Sequence, residues 1–265
     1  MDEFEKIGII GCGTMGSAIL DGLNNETDAF VVGVYDADPD QLESIGENYP
    51  VTQAESVEDL HEWADFLLLC VKPSVVGEAL SPLNSSEVHL VSIAAGVSIE
   101  ELQGHLGEGS SVVRVMPNTP AQVGEGMSFL APGPGAPETF LERSRHIFRT
   151  VGEVSVVDES KMDAVTALSG SGPAYVFYFL EALQEAGVYL GLDADDALKA
   201  ARKTIQGAAA LQEATDKNPA ELKSDVSSPG GTTVEALKHL DKSAVKGDIK
   251  EALQEAYKKS KRLSD

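Results

Sequence analysis

From Lys6 to Val157, short apolar runs alternate with stretches whose apolar residues recur every three or four positions. Lys6–Ile10, Val31–Tyr35, Phe66–Val71, Val88–Ile93 and Val112–Met116 are predicted strands, apolar enough to be buried on both faces. Between them, Thr14–Asn24, Pro39–Glu47, Val57–Trp63, Ser74–Leu83 and Ser98–Leu106 are predicted helices. Strand, helix and strand in steady succession predict a doubly wound, mostly parallel sheet. Two further strands, Met127–Leu130 and Gly152–Val157, are expected to flank a helix from about Pro137 to Thr150. APGPGAP, which leads into that helix, is a loop by composition.

From Lys161 onward the strand signal stops. Ala174–Gly191, Asp193–Thr215, Thr233–Leu240 and Ser243–Leu263 are predicted helices, punctuated by Gly, Pro, Asp and Asn. The chain is therefore expected to divide near Asp158 into an α/β domain, residues 1–158, and an all-α domain, residues 159–265. The first of these helices is apolar nearly all round, with Val176, Phe177, Phe179, Leu180 and Leu183. Such a helix needs cover on every side, and one small helical domain supplies too little. A homodimer, or a larger assembly of dimers, is expected to form around it.

Charge bounds the partners. The chain carries 43 Asp and Glu against 20 Lys and Arg, a formal net charge of -23. Up to Ser111 the only bases are Lys6 and Lys72, whereas 14 of the 20 lie at or beyond Lys161. A surface of this sign neither displaces counterions from nucleic acid nor binds anionic lipid, so neither partner is expected. The acids are scattered, as in DADPD and ESVEDLHEWAD, rather than gathered in a tail. Scattered like charge keeps a protein hydrated and costs least where salt screens it. Halophilic adaptation to a salt-rich cytoplasm is the expectation, with an ordinary acidic surface as the alternative. Cys12 and Cys70 lack CxxC partners and read as reduced thiols of a cytoplasmic protein. The opening MDEFEK carries acid where a secretory signal would carry base. The most apolar helical stretch, AYVFYFLEAL, is broken by Glu181 and too short to span a bilayer.

Chemistry enters at the end of the first strand. Ile10-Gly11-Cys12-Gly13-Thr14-Met15-Gly16 places GxGxxG between a strand and an amphipathic helix bearing Ala18, Ile19 and Leu23, the context in which the pattern signifies a dinucleotide. The first glycine permits the tight turn, the second lets the backbone approach a pyrophosphate, and the third lets helix pack on strand. The α/β domain is thus expected to be of the Rossmann type and to bind NAD(P)H. The second strand ends at Asp36, twenty residues past Gly16, where an acid accepts ribose hydroxyls and repels a 2′-phosphate. No Lys or Arg follows within thirty residues. NADH is therefore expected over NADPH, unless Asp36 is one more surface acid. Cys70-Val71-Lys72-Pro73 ends a central strand at the edge where ligands of such sheets bind, and Lys72 there reads as a cofactor-facing base. No metal is expected.

A second constellation lies late in the chain. Ser227-Ser228-Pro229-Gly230-Gly231-Thr232-Thr233 leads into a helix, so several backbone N–H groups converge where a phosphate or carboxylate would bind. A capped helix with a glycine-rich lead-in is the plain alternative. Taken with IGIIGCGTMGSAI, LLLCVKP, VSIAAGV, VRVMPNTPAQVGEGM and ALSGSGPAYVF, the stretch LKSDVSSPGGTTVEAL resembles the pyrroline-5-carboxylate reductases, in order and across almost the whole chain.

The resemblance implies NAD(P)H-dependent reduction of 1-pyrroline-5-carboxylate to L-proline, the last step of proline biosynthesis, by a Rossmann domain joined to a helical dimerisation domain. It implies cofactor contacts from Gly11 to Gly16 and at Val71, Lys72 and Pro73, with Ala95 and Asn118 lining the nicotinamide side. It assigns the substrate carboxylate to Ser228, Gly230, Gly231, Thr232 and Thr233, with Thr233 facing the ring nitrogen as the catalytic group. The chain departs from the family pattern in its acidity and in Asp36, which opposes the common NADPH preference.

A protonated imine is already electrophilic, so no strong acid is required. His61, His89, His105, His146 and His239 all lie outside the motifs and read as surface residues. Asp216 is a weaker candidate on the substrate side. Anchor and cofactor belong to different domains, so the site is expected at their interface. The nearest rival, the β-hydroxyacid dehydrogenases, places a catalytic lysine four residues past a helix-starting glycine; counted from Gly172, that position is Val176. A non-enzymatic dinucleotide sensor is the other rival, and it has no need of a second anion cradle.

Overall fold

A computed structural model of the chain describes residues 5–26 and 30–264, so the acidic lead at residues 1–4 lies outside the described residues. Packing divides the chain into two units, Met1–Ser171 together with Ala256–Asp265, and Gly172–Glu255.

The first unit is built on one sheet. Its strands are β1 (Glu5–Ile10), β2 (Phe30–Tyr35), β3 (Thr52–Gln53), β4 (Phe66–Leu69), β5 (His89–Ser92), β6 (Ser111–Met116), β7 (Gly126–Pro132) and β8 (Gly152–Val156). They run in the order β3-β2-β1-β4-β5-β6-β7-β8, all neighbours parallel except β6 with β7. The order reverses at β1, between β2 and β4, where a crevice opens at the carboxyl ends of the strands.

Strand side chains alternate between faces, so strands apolar on both faces feed two cores. Leu68 packs with Ile7, Ile9, Ile19, Phe140 and Phe148 on the face of α1 (Thr14–Asn25), α2 (Pro39–Asn48) and α6 (Glu138–Arg149). Leu67 and Leu69 pack with Leu60, Leu80, Leu90 and Leu102 on the face of α3 (Val57–Trp63), α4 (Val76–Leu80) and α5 (Ile99–Gly104). Asp38, Ser56 and Ser98 cap α2, α3 and α5 by accepting first-turn N–H groups.

Several boundaries differ from the sequence reading. β4 stops at Leu69 rather than Val71; the Cys70 N–H still donates to the Ile10 carbonyl at 2.8 Å, and beyond it Lys72 leads into a 3-10 turn opened by Pro73. The single helix expected over Ser74–Leu83 is α4 between two 3-10 turns, Pro73–Val75 and Ser81–Leu83, since Pro82 cannot continue the α-helical bonding. The APGPGAP loop begins inside β7, where Ala131 and Pro132 pair with Arg114 and Val113.

The first unit closes with α7 (Met162–Val165) and a π-helical turn, Thr166–Gly170. The second holds α8 (Gly172–Tyr189), α9 (Ala194–Glu213), α10 (Pro219–Asp225), α11 (Thr232–Lys242) and the start of α12 (Val245–Ser264). α10 and the two-residue β3 go beyond the sequence reading. α10 has an evident cause, a capping box of Asn218 and Glu221 with Pro219 in its first turn. α8 and α9 approach closely through small residues, Gly187 against Ala197. No residue of α8 is buried within the chain, and Phe177 and Tyr178 are 65% and 69% exposed. Among the described residues, no helix is long and apolar enough to cross a membrane.

Candidate active site

β1 ends at Ile10, and the chain turns at Gly11, whose φ of +94° is a conformation glycine adopts without strain. The Gly11 N–H donates to the Tyr35 carbonyl at 2.9 Å. A Cβ on Gly16 would collide with the Gly11 carbonyl oxygen, so the third glycine is required by packing. Gly13 is different: it N-caps α1, no side chain caps that helix, and a Cβ on Gly13 would meet nothing within 4 Å. The first turn of α1 therefore presents its N–H groups and dipole to open space, where an anion is favoured.

The peptide groups of Cys12 are fixed from three directions. Its carbonyl accepts Ser17 Oγ at 2.8 Å and Gln41 Nε2 at 2.7 Å, and its N–H donates to Asp36 Oδ2 at 2.6 Å. Asp36 Oδ1 accepts the Asp38 N–H at 2.9 Å. The carboxylate at the end of β2 is thus bound into the glycine turn. Sequence reasoning missed Ser17, which reaches back five residues within the turn, and Gln41, whose role depends on how α2 docks. The Cys12 thiol is pushed up to about 12 by burial and then by the Asp36 charge. Burial, then Cys12, raises the Cys70 thiol as well. Neither is a thiolate nucleophile at neutral pH.

A cavity of about 500 Å³ opens at this edge. Of the predicted cofactor residues, Ile10, Gly11, Gly13, Asp36, Cys70, Val71 and Lys72 line it. Cys12, Thr14, Met15 and Gly16 belong to the same turn without lining the cavity, and Pro73 opens the adjoining 3-10 turn. Tyr35, Val57, Val75, Ala79 and Pro82 add an apolar wall, while Glu58 and Glu78 add acid. An apolar wall for a base, an acid for a ribose and open helix amides for a pyrophosphate fit a nicotinamide dinucleotide.

Ala95 and Asn118 lie farther along the carboxyl edge, beyond β5 and β6. Asn118 Oδ1 accepts the Met127 N–H at 2.9 Å, and its Nδ2 donates to Ser169 Oγ at 3.3 Å. It therefore ties the loop after β6 to β7 and to the π turn. That turn is closed by the Ser171 N–H on the Thr166 carbonyl at 2.9 Å, and π turns recur at functional sites.

The second constellation stands in the second unit. The Gly231 N–H donates to the Ser228 carbonyl at 3.0 Å, with Pro229 and Gly230 between them and Gly230 at φ +74°. Pro followed by a positive-φ glycine is the signature of a type II turn. Gly231 N-caps α11, which starts at Thr232, one residue earlier than expected, and no side chain caps it. Thr232 is exposed and Thr233 part-buried, so their amides and the Thr233 hydroxyl stand at an open helix start. Asp216 is exposed and separated from this turn by α10. No histidine belongs to either turn or to the cavity lining. The surface reading fails for His89, whose ring lies 5.2 Å from Phe140 and whose Nδ1 is buried without a partner.

The turn, the anchored acid and the open helix start, on a doubly wound sheet, define a Rossmann-type oxidoreductase that uses NAD(P)H. Residues 6–96 match the family described as NADP oxidoreductase, coenzyme F420-dependent, and residues 159–263 match pyrroline-5-carboxylate reductase dimerisation. The Escherichia coli pyrroline-5-carboxylate reductase is 37% identical over 98% of both chains. The solved structure of a pyrroline-5-carboxylate reductase from Coxiella burnetii superposes with a TM-score of 0.92 at 32% identity, covering 99% of this chain and 100% of that one. The Plasmodium falciparum pyrroline carboxylate reductase, solved with NADP bound, superposes with a TM-score of 0.87 at 32% identity over the same shares. The chain belongs to the pyrroline-5-carboxylate reductase family.

Proposed function

We propose that the chain reduces 1-pyrroline-5-carboxylate to L-proline, the last step of proline biosynthesis. It does so in the cytoplasm as a homodimer or an assembly of dimers, with NADH as the preferred donor. The observation that carries the reading is the open N-terminus of α11, set behind a type II turn, in a chain whose first strand ends in a dinucleotide turn.

The substrate is a cyclic imine with a carboxylate. Amides at Thr232 and Thr233 hold that carboxylate, while the Gly231 N–H closes the turn from Ser228 that fixes their direction. Bound NADH would supply the hydride for the imine carbon. The Thr233 hydroxyl holds the proton on the ring nitrogen. Most of the acceleration comes from orientation, worth about 7–11 kcal/mol for well-aligned reactants.

NADH is preferred because the Asp36 charge is held by the Cys12 and Asp38 amides where a 2′-phosphate would lie. Glu58 and Glu78 reinforce it, and Lys72, the one base among the lining residues, belongs to the far side of β1 from Asp36. The cradle is tested by Thr233→Ala, which should lower kcat for imine reduction about tenfold or more with the KM for NADH unchanged. If both kcat and the imine KM stay within about twofold, the threonine has no such role.

A further inference from the structure

α12 starts in the second unit, but from Ala256 onward its residues pack with the first. Ser260 and Leu263 make contacts that hold them there. Ser260 is 4% exposed on a helix otherwise largely open to solvent, and its Oγ donates to Asp163 Oδ1 of α7 at 2.7 Å. One turn on, Leu263 lies against Gly96: a Cβ there would stand 3.2 Å from both the Cβ and the carbonyl oxygen of Leu263. Gly96 has φ +81° and follows Ala95 in the loop from β5 to α5. The far end of that loop is held too. Glu159 Oε1 accepts the Ile99 N–H at 2.7 Å and Nη1 of the buried Arg114 at 3.1 Å. The backbone from Ala95 to Ser98 is thus clamped between the end of α12 and Glu159.

The place of the loop gives the clamp its meaning. Asp36 at the end of β2 marks the adenosine ribose, and the turn after β1 marks the pyrophosphate, so the nicotinamide half runs toward β4 and β5. The loop leaving the carboxyl end of β5 flanks that half. We propose that the last turn of α12, through Ser260 and Leu263, is a positioning element of the nicotinamide half-site. It holds the Ala95–Gly96 backbone at the spacing the ring requires and takes no part in binding adenosine. The inference rests on the dinucleotide reading above and extends it to a segment that no motif marks.

The test compares two ligands, NADH and ADP-ribose, the latter carrying adenosine and pyrophosphate without nicotinamide. Both are titrated calorimetrically into the unaltered chain, into Ser260→Ala and into a chain stopped after Lys259. The two variants should bind NADH about three- to tenfold more weakly, the range of one lost hydrogen bond, and ADP-ribose within about twofold of the unaltered chain. Equal weakening of both ligands means a general structural effect and overturns the proposal, as does unchanged NADH affinity. If the unaltered chain binds neither ligand, the dinucleotide reading itself fails and takes the proposal with it.

Discussion

At the scale of residues, Asp36 fixes the glycine turn through the Cys12 amide and places a carboxylate in the lining of the cavity. Asp36→Asn removes that charge while keeping one acceptor oxygen for the turn. The ratio of kcat/KM for NADH to that for NADPH, measured by steady-state kinetics, is therefore expected to fall about tenfold or more. An unchanged ratio would show that the acid does not select the cofactor. Asp36 was legible because its distance from Gly16 and its strand-end position are linear features of the sequence. Gln41 was not. Its amide reaches the Cys12 carbonyl only because α2 docks beside the turn, and nothing in PDQLESIGEN marks that contact. Ser17 was hidden too, because its hydroxyl reaches back to the Cys12 carbonyl only through the local path of the glycine turn.

At the scale of elements, the apolar periods placed nearly every strand and helix of the first unit, and the errors gather where proline or a short capped helix intervenes. α10 carried its signal in Asn218, Pro219 and Glu221 but is only seven residues long. The junction of β1 with α6 offers a test of packing. Burial holds the Glu5 carboxyl above its usual value, aided by Asp65, against the opposing charges of Arg143 and His146. Arg143 Nε lies 2.8 Å from Glu5 Oε1, yet that oxygen has no aligned hydrogen bond. A carboxyl raised in the folded state binds its proton more tightly folded than unfolded. Its ionised form therefore costs stability at neutral pH, and the cost fades as pH falls through the raised value. Glu5→Gln is expected to raise Tm at about pH 7 and to lose that advantage toward about pH 4, as followed by circular dichroism melts.

At the scale of the whole molecule, the α/β half followed by an all-α half was legible throughout, because the hydrophobic period changes once, near Lys161. The return of α12 to the first unit was not, since a helical period says nothing of which unit a helix end joins. α8 leaves Phe177, Tyr178 and Tyr189 exposed within one chain, and its residues lie within the match to a dimerisation family. The match supports self-association, and we propose that it covers this face. We also propose that the net charge of -23 reflects adaptation to a salt-rich cytoplasm. Tm is then expected to rise from low to molar KCl as repulsion is screened, and a flat or falling Tm would return the acidity to an ordinary surface. The central claim is hydride transfer to a carboxylate-bearing imine, and isotope transfer tests it most directly. The protein, 1-pyrroline-5-carboxylate and NADH deuterated at the nicotinamide C4 are incubated together, and the product is read by mass spectrometry and NMR. L-proline with deuterium at the former imine carbon is the expected product. Failure to form proline with NADH or NADPH, or proline without transferred deuterium from either face of the nicotinamide, would contradict that claim.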